Sequence, residues 1–526
     1  MVMQFRPSIW AVPLGLLIAS CGDSSGPGDD SSASGTGSAS TSGTTAEAPT
    51  TTNNPSGATG TDATAGSESN GMTMATTEPT ATATDTATAT DTATATATDP
   101  TTATTGDPPG TTTDASSTTS GVVPDTTTSG EPGTSSTGGG DSTTGVGEES
   151  SSGGPPPLCE PGMGGGMGMA DKSYIWIASQ NLNDISKVDT QTMTELARYR
   201  TGPAGESPSR TAVSADGRFV VVNGRSTGRS TMIAADIADC VDKNGNGQIE
   251  TSQNKANLLA WGTDECVIWS IVHPYAGGHA PGPRGVTWTP GEWDYDQCKY
   301  VDPKVWIGYL AAGNIAKMAK VDGLTGIVEE TMSAPGWIGS GYAPYGAALD
   351  PQFRPWFSSL RGEFIRVNTD QNPTTITRVT PPAGVQSYGF TVDQDGNAWF
   401  GGCSGPITVY DQKNATFTTI AGTQACHRGV TADDKYVWVA SNGPCGLVQV
   451  DRLNRTLIAK HVLPQCGTAI GLSIDVEKNV WLVDQSGWAW KFDPENVKGM
   501  KKVDVAGSHY VYSDMTGGQL RSVLPQ

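Results

Sequence analysis

The chain has 526 residues, of which 53 are Asp or Glu and 32 are Lys or Arg, and only 16% of its residues are charged. Residues 22–157 hold 17 of the acids and no Lys, Arg or aromatic residue, which leaves 36 acids and 31 bases in residues 158–526. This balance excludes a nucleic-acid-binding protein. A polytopic membrane protein is also excluded, because no later apolar run approaches about 18 residues.

Residues 1–21 have the pattern of an export signal. Arg6 supplies a sparse positive region, and residues 9–18 form an apolar segment too short to span a bilayer. The small residues before Cys21 resemble the lipobox of bacterial lipoproteins. The resemblance implies that Cys21 carries acyl chains that anchor the protein to a membrane, on its extracytoplasmic side. An ordinary cleaved signal with an incidental Cys is the alternative.

Residues 22–157 consist mainly of Ser, Thr, Gly, Ala, Asp and Pro. Such a segment cannot bury enough apolar surface to offset the entropy lost on ordering. We therefore predict a disordered tether that acts as a spacer.

Residues 173–526 repeat a pattern about every 40 residues, which is the spacing of propeller blades. The repeat is marked by Trp176-Ile177, Trp306-Ile307, Trp356-Phe357, Trp399-Phe400, Trp438-Val439 and Trp481-Leu482. Each Trp is followed 11 to 15 residues later by an apolar residue and then Asp or Asn. A seventh copy at residues 218–236 lacks the Trp. Each unit reads as strand, turn, Trp-centred strand, loop and strand.

Seven such units predict an all-β fold, a seven-bladed β-propeller, over residues 158–526. Six or eight blades are alternatives, because blades 2 and 3 contain long insertions, including one at about 237–283. The first unit lacks an opening strand, and residues 510–514 match the opening strand of the other units. We therefore predict that N- and C-terminal strands pair to close the ring.

The unit from Asp393 to Phe400, with Asp411 at the end of the next strand, resembles the streptogramin (virginiamycin B) lyase family and its NHL-type relatives. The resemblance covers most of residues 173–516 and implies a propeller of six or seven blades. In the lyases, a Glu three residues after the Trp and nearby His residues hold magnesium and perform elimination. The positions that match are Asp484 and His509, with His427 one residue before its own matching place.

The same comparison also shows where this sequence departs from the lyases. The other blades have no carboxylate at the position of Asp484; they carry Ser179, Asn223, Tyr309, Ser359, Gly402 and Ser441. Magnesium and elimination are therefore implied only if the single acid Asp484 and the two His residues suffice.

A ring of polar residues just before the opening strands forms a second candidate site. It comprises Arg210, Arg284, Tyr345, Tyr388 and Arg428, with Ile470 and His509 in the remaining blades. Guanidiniums and phenols around one funnel suit an anionic or sugar-like ligand. The alternative is that these side chains close the channel mouth and bond to neighbouring carbonyls and to strand-end acids such as Asp350 and Asp393.

Blade 2 contains a pattern typical of calcium loops. Its oxygen donors are Asp242, Asn244, Asn246, Gln248 through its carbonyl, and Glu250. The twelfth position is Gln253 instead of the usual Glu, so we expect a weak structural calcium site. An Asn-Gly turn without an ion is the alternative.

Eight cysteines remain after Cys21, and an even number in an exported chain predicts disulfides. Cys240 and Cys266 bracket the calcium-like loop and are the best pair. The cysteines in same-face loops of blades 5 to 7 predict two more bridges among Cys403, Cys426, Cys445 and Cys466, which leaves Cys298 with Cys159.

Taken together, these patterns predict a bacterial lipoprotein on the periplasmic or outer side of a membrane. Its propeller would bind an unknown extracytoplasmic ligand or protein through the loop-rich face. A lyase-like enzyme and a structural or adhesive envelope protein are the alternatives.

Overall fold

The computed structural model describes residues 173–525, in which seven β-sheet blades form a ring, as the repeat predicts. The predicted signal, the predicted lipidation site Cys21, the predicted tether and Cys159 lie outside these residues. Within residues 173–525, no helix is long and apolar enough to cross a membrane.

Blades 1 to 3 contain the first thirteen strands. Blade 1 consists of β1 (Tyr174–Ser179), β2 (Asp184–Asp189) and β3 (Thr194–Arg200). Blade 2 consists of β4 (Pro208–Val213), β5 (Phe219–Gly224), β6 (Arg229–Ala234) and β7 (Val267–Val272), with a 3-10 turn at Ile237–Asp239. Blade 3 consists of β8 (Val286–Thr289), the hairpin of β9 (Glu292–Asp294) and β10 (Lys299–Val301), β11 (Lys304–Ala311), β12 (Ile315–Asp322) and β13 (Val328–Pro335).

Blades 4 to 7 are more regular. Blade 4 is β14 (Gly346–Leu349), β15 (Pro355–Ser358), β16 (Phe364–Asn368) and β17 (Thr375–Val379). Blade 5 is β18 (Gly389–Val392), β19 (Ala398–Gly401), β21 (Thr408–Asp411) and β22 (Thr416–Thr419), and the short β20 (Cys403–Gly405) pairs with the next blade. Blade 6 is β23 (Ala425–Ala432), β24 (Tyr436–Asn442), β25 (Cys445–Asp451) and β26 (Thr456–Val462). Blade 7 is β27 (Ala469–Ile474), β28 (Val480–Asp484), β29 (Trp488–Asp493) and β30 (Asn496–Asp504).

An Asp–Trp hydrogen bond explains the repeat in blades 4 to 7. The Asp that ends each inner strand caps the following turn with one carboxylate oxygen, and its other oxygen accepts from the indole N–H of the next strand's Trp. The bonds are Trp356 Nε1 to Asp350 (2.9 Å), Trp399 to Asp393 (2.8 Å), Trp438 to Asp433 (2.9 Å) and Trp481 to Asp475 (2.9 Å). Each buried indole thereby has a partner, and each tight turn is fixed to its own blade.

Glycine at the start of the inner strands lets neighbouring blades approach. A Cβ at Gly389 would lie 1.5 Å from the carbonyl oxygen of Arg428, and one at Gly471 would lie 2.3 Å from that of Val511. Neither distance is sterically possible, so the Gly that recurs at this position reflects the crowding of strands around the axis.

The ring closes between the two ends of the described chain, as predicted. The residue His509 forms an antiparallel bridge with Ser179, and the N–H of Trp176 donates to the carbonyl of Met515 at 2.9 Å. One detail differs from the expected pairing: β31 (Tyr512–Ser513) pairs in parallel with β4 of blade 2. The closing segment thus contacts two blades at once.

A C-terminal helix that the sequence pattern did not predict, α1 (Gly518–Val523), lies against the ends of the inner strands. Its Gln519 side chain donates to the carbonyls of Leu349 (2.8 Å) and Val392 (3.2 Å) in two different blades. Asp514 occupies the place of the strand-end Asp of blade 1, but it accepts from the N–H groups of Gln519 and Leu520. Trp176 is consequently left with an indole N–H that has no partner among the described residues.

Three disulfides are present among the described residues: Cys240–Cys266, Cys403–Cys426 and Cys445–Cys466. The first is the predicted best pair, and the other two confirm the expectation of two bridges in blades 5 to 7. Cys298 is also disulfide-bonded, but its predicted partner lies outside residues 173–525. The predicted insertion at 237–283 contains β7, so it consists of two loops separated by a strand.

Candidate ligand site on the rim face

The propeller has two faces with different loops. We call the face where the inner strands begin, at residues 207–210, 281–286, 343–346, 386–389, 425–428, 467–470 and 508–511, the rim face. The opposite face, which carries α1, is the helix face. The bridges Cys403–Cys426 and Cys445–Cys466 lie on the rim face, because three of these cysteines are at or next to the beginning of a strand there and Cys466 is in the loop that leads to β27.

Four tyrosines fill the channel below the rim face and form what we call the tyrosine cluster: Tyr345, Tyr388, Tyr510 and Tyr512. Their hydroxyls are joined in a chain. The hydroxyl oxygens of Tyr345 and Tyr510 are 2.7 Å apart, and the hydroxyl of Tyr510 also contacts that of Tyr388. The hydroxyl of Tyr512 donates to the hydroxyl of Tyr388 at 3.2 Å. Burial raises the pKa of Tyr388 well above its ordinary value, so its hydroxyl stays protonated.

Arg210 and Arg428 pack against this cluster. The fully buried Arg210 guanidinium lies 3.8 Å from the Tyr512 ring centroid and 4.4 Å from that of Tyr345, and its Nε donates to the Tyr345 carbonyl at 2.9 Å. Arg428 is half-buried and donates to the hydroxyl of Tyr512 at 3.3 Å. Within residues 173–525, neither arginine has a carboxylate partner, and each keeps one buried N–H group without an acceptor.

Arg284 lies beside the cluster and bonds to carbonyl groups. Its guanidinium donates to the carbonyls of His279 at 3.1 Å and Ala280 at 3.4 Å and stacks over Tyr345 at 4.9 Å. The alternative prediction was that these side chains close the channel mouth and bond to neighbouring carbonyls and to strand-end acids. The bonds of Arg284 agree with its first part, the bonding to carbonyls. Its second part is wrong, because the strand-end acids Asp350 and Asp393 lie at the other end of their inner strands and bind indoles there.

Little free space remains on the axis. The cavity bounded by Arg210, Tyr388 and Tyr512 has a volume of about 10 Å³, which is about what a single water requires. A larger ligand would therefore bind on the rim side of the cluster, where Arg428 is half-exposed.

The predicted catalytic acid, Asp484, is engaged in holding a loop. It is fully buried, and its carboxylate accepts from the N–H groups of Gly467 (2.8 Å), Thr468 (2.9 Å) and Ser486 (2.6 Å). It also lies beside Cys445 and Cys466, with its oxygen and their sulfurs within 4.8 Å of one another. Both sulfurs are in a disulfide, so they are not available as thiolate ligands.

The predicted partner His509 is fully buried and turns its ring to backbone carbonyls. Its Nε2 lies 2.8 Å from the Val505 oxygen and its Nδ1 lies 3.2 Å from that of Ala178. Burial lowers its pKa, and the nearby Asp484 opposes this electrostatically, but no hydrogen bond joins the two side chains.

His427 lies apart from both Asp484 and His509 in the hydrogen-bond network of the described chain. Its Nε2 contacts the Thr423 carbonyl, its Nδ1 is buried without a partner, and burial lowers its pKa. The structure therefore brings Asp484 and His509 into the same region but does not assemble the three residues into one hydrogen-bonded group. Their catalytic role stays a prediction.

The calcium-like loop lies on the helix face and closes around carboxylates. The Asp242 carboxylate accepts from Gly245 (2.6 Å) and Gly247 (2.8 Å), both of which adopt positive φ. The amides of Asn244 and Asn246 both donate to Glu250, at 2.9 and 2.6 Å. Glu265 was not among the predicted residues of this loop. Its buried carboxylate accepts from the N–H groups of Lys243, Asn244 and Glu250 and so holds both ends of the loop.

Sequence reasoning also missed two members of the tyrosine cluster. Tyr510 and Tyr512 were assigned to the closing strand, but their place in the site was not recognised. Their spacing of two residues would have placed both side chains on one face of that strand, toward the axis.

No protein-family model and no curated protein matches the chain. Solved structures are similar to it at low identity. A functionally unknown protein from Desulfotomaculum acetoxidans is 16% identical with a TM-score of 0.44, over 64% of this chain and 96% of that one. AztD from Citrobacter koseri is 13% identical with a TM-score of 0.40, over 65% and 97%. The dihydro-heme d1 dehydrogenase NirN, solved in complex with DHE, is 12% identical with a TM-score of 0.39, over 66% and 76%. At these TM-scores, the similarity supports no argument about function.

Proposed function

We propose that this chain is a membrane-anchored extracytoplasmic lipoprotein whose propeller binds a small anionic ligand on the rim face. The disulfides support the location, because such bonds persist in oxidising compartments. The lipid at Cys21 and the tether at residues 22–157 would supply the anchor and the spacer.

One observation supports an anionic ligand. Arg210 and Arg428 lie in the channel without a carboxylate partner among residues 173–525. Burying a positive charge is costly unless an anion or hydrogen-bond acceptors compensate it. The phenol oxygens and ring faces compensate only partly, because they carry no full negative charge, and each guanidinium keeps an N–H group without an acceptor. An anionic group bound beside Arg428 would complete this network.

The test is a thermal-shift and calorimetric titration of the full chain with sulfate, phosphate, acetate, citrate and galacturonate. Arg428→Gln should weaken binding of the preferred anion about tenfold, the loss expected for one charge-assisted hydrogen bond. Arg455→Gln is the matched control, because Arg455 pairs with Asp411 on the helix face. Equal weakening by both variants, or no saturable binding of any of these anions, contradicts the proposal.

The hydrogen bonds of Asp484 and His509 favour a binder over a lyase. Asp484 is committed to three loop N–H groups, and His509 has both ring nitrogens against carbonyls. A general base must reach the proton that it removes. Activity toward a lactone that Asp484→Asn abolishes, with folding unchanged, would restore the enzymatic alternative.

We also propose a structural calcium ion in the loop of residues 242–250. Asp242, Asn244, Asn246 and Glu250 would supply side-chain oxygens and Gln248 its carbonyl, which is the oxygen-only donor set that calcium prefers. At a calcium concentration ten times Kd, the folded state should gain about 1.4 kcal/mol. Asp242→Ala should abolish the calcium-dependent rise in Tm, Glu292→Gln should not, and EGTA should reverse the rise. An unchanged Tm in calcium contradicts the site.

The anchor and the tether have separate tests in cells. Cys21→Ala should move the protein from the membrane fraction to the soluble fraction. Deleting residues 22–157 while keeping Cys21 should leave ligand binding intact. If the deletion abolishes the cellular function although anion binding persists, the structural or adhesive alternative is correct.

A further inference from the structure

The helix face has a second pocket between blades 2 and 3, at the opposite end of their inner strands from Arg210 and Arg284. Its volume is about 360 Å³, which is within the range of small-molecule sites. Its apolar wall includes Phe219, Trp288, Tyr300 and Leu324. It belongs to neither the tyrosine cluster nor the calcium-like loop.

The hairpin of β9 and β10 builds one wall of this pocket. In blades 4 to 7 the inner strand is joined to the next strand by a tight Asp-capped turn, whereas blade 3 extends this connection into the hairpin. The Tyr300 ring is held edge-on between Trp293 (5.0 Å) and Phe353 (6.1 Å). At the base, a Cβ on Gly323 would lie 2.6 Å from the Trp288 ring, so only Gly allows this packing.

Three of the four charged residues that line the pocket already have partners. Arg218 is paired with Asp239 through two hydrogen bonds, Asp302 accepts from Lys304 at 2.5 Å, and Asp216 accepts from Ser214 at 2.6 Å. The fourth, Lys299, is exposed and makes no hydrogen bond or ion pair with a described residue. Its neighbour across the hairpin, Asp294, is close enough for the Lys299 charge to help lower the pKa of that carboxyl. The hydrogen bonds of the Asp294 carboxylate nevertheless come from its own turn, from the N–H groups of Asp296 and Gln297.

From this geometry we infer that the pocket binds an aromatic carboxylate, with the planar body against Tyr300 and Phe219 and the carboxylate on Lys299. An apolar site with one exposed cation that is hydrogen-bonded to no described carboxylate favours a ligand with an apolar body and one negative charge. The aromatic side chains favour a flat ring system, because ring contacts add to the burial of apolar area.

The experiment uses the full chain and 2-naphthoate, with 2-naphthamide as the neutral analogue and 2-naphthylmethylammonium as the cationic one. Calorimetry should detect one 2-naphthoate per chain, with a Kd of about millimolar or tighter for a ligand of this size. The neutral and cationic analogues should bind about tenfold more weakly.

Two variants locate the site. Lys299→Gln should weaken 2-naphthoate binding about tenfold, and Leu324→Trp should abolish it by filling the pocket from its exposed edge. Lys317→Gln on the same blade is the charge control and should leave the affinity for 2-naphthoate unchanged. If the cation binds as tightly as the anion, or if Leu324→Trp keeps full binding with an unchanged Tm, the inference is overturned.

Discussion

The two ends of the propeller channel are closed by different chemistry. The rim end is filled by the tyrosine cluster and by arginines that lack carboxylate partners, whereas the helix end is covered by α1, with Asp514 accepting from its first N–H groups. At the helix end the cation of α1, Arg521, lies near the carboxylates of Asp514 and Asp475, although the indole of Trp176 and the hydroxyl of Ser173 have no partner among residues 173–525. At the rim end, Arg210 and Arg428 each keep an N–H donor without an acceptor among the described residues. The difference indicates that the helix face holds the ring together and that the rim face retains capacity for a ligand.

Weakening the packing of α1 at the helix end should have the largest effect on stability. Leu520 belongs to α1 and its side chain is buried, so Leu520→Ala should lower the free energy of unfolding by about 4 kcal/mol, as for other buried leucines. Chemical denaturation measures this change. Leu453→Ala, at a leucine that is 68% exposed, is the control and should change little. A small effect at Leu520 would mean that α1 does not seal the channel.

At the rim end, a buried acid should make stability depend on pH. Burial raises the pKa of Glu206 to about 7 from its ordinary 4.5, and one of its carboxylate oxygens has no partner among residues 173–525. The folded state therefore holds this proton more tightly than the unfolded chain does. Its stabilising contribution is complete below about pH 4.5 and is lost as the pH rises through about 7.

Glu206→Gln removes this titration. The variant should be more stable than the natural chain at pH 8 by up to about 3 kcal/mol, and the two should converge near pH 4. Urea unfolding across this range measures the difference, with the exposed Glu292→Gln as control. A parallel pH dependence in the natural chain and the Gln variant would contradict the assignment.

Removing one disulfide from each face separates stability from binding. Replacing Cys445 and Cys466 with Ser should cost about 3 kcal/mol, as should replacing Cys240 and Cys266, because the closed loops are of similar length. Only the first pair lies on the rim face beside Asp484, so only that variant should also weaken anion binding. Equal loss of binding in both variants would remove the distinction between the faces.

The Asp–Trp pair should contribute least of these features at a single blade. Asp433→Ala removes the acceptor of Trp438 Nε1 and of two turn N–H groups, at a cost of about 2 kcal/mol. The adjacent Asp434→Ala is the control, because the Asp434 side chain is exposed. Equal Tm values for the two variants would show that the repeat does not depend on this bond.

The propeller was predictable because its signals are local. Each Trp lies within about six residues of the Asp that binds it in blades 4 to 7, so one short pattern records both the turn and the core. The closing strand and the expectation of two disulfides in blades 5 to 7 followed from the same frame, but not which of their cysteines pair. The pair Cys240–Cys266 was predicted from its position on either side of the calcium-like loop. Helix α1 has only six residues and is held by contacts with residues far away in the sequence. The sequence therefore shows no helical periodicity that would predict it.

The site was less predictable because its contacts cross the ring. The positions of Arg210, Tyr345, Tyr388 and Arg428 followed from the repeat, but their contacts with Tyr512 join residues up to 302 positions apart. Asp484 matched a catalytic position in the lyases, but in this chain its carboxylate accepts hydrogen bonds from loop N–H groups. Those contacts could not be predicted from its position in the repeat.

The most direct test of the rim-face proposal is an X-ray structure of the full chain grown with selenate and measured at the selenium edge. We predict an anomalous peak within hydrogen-bonding distance of the Arg428 guanidinium, on the rim side of Tyr388 and Tyr512, which is lost in Arg428→Gln. A rim face without selenate, or selenate bound only on the helix face, would contradict the account.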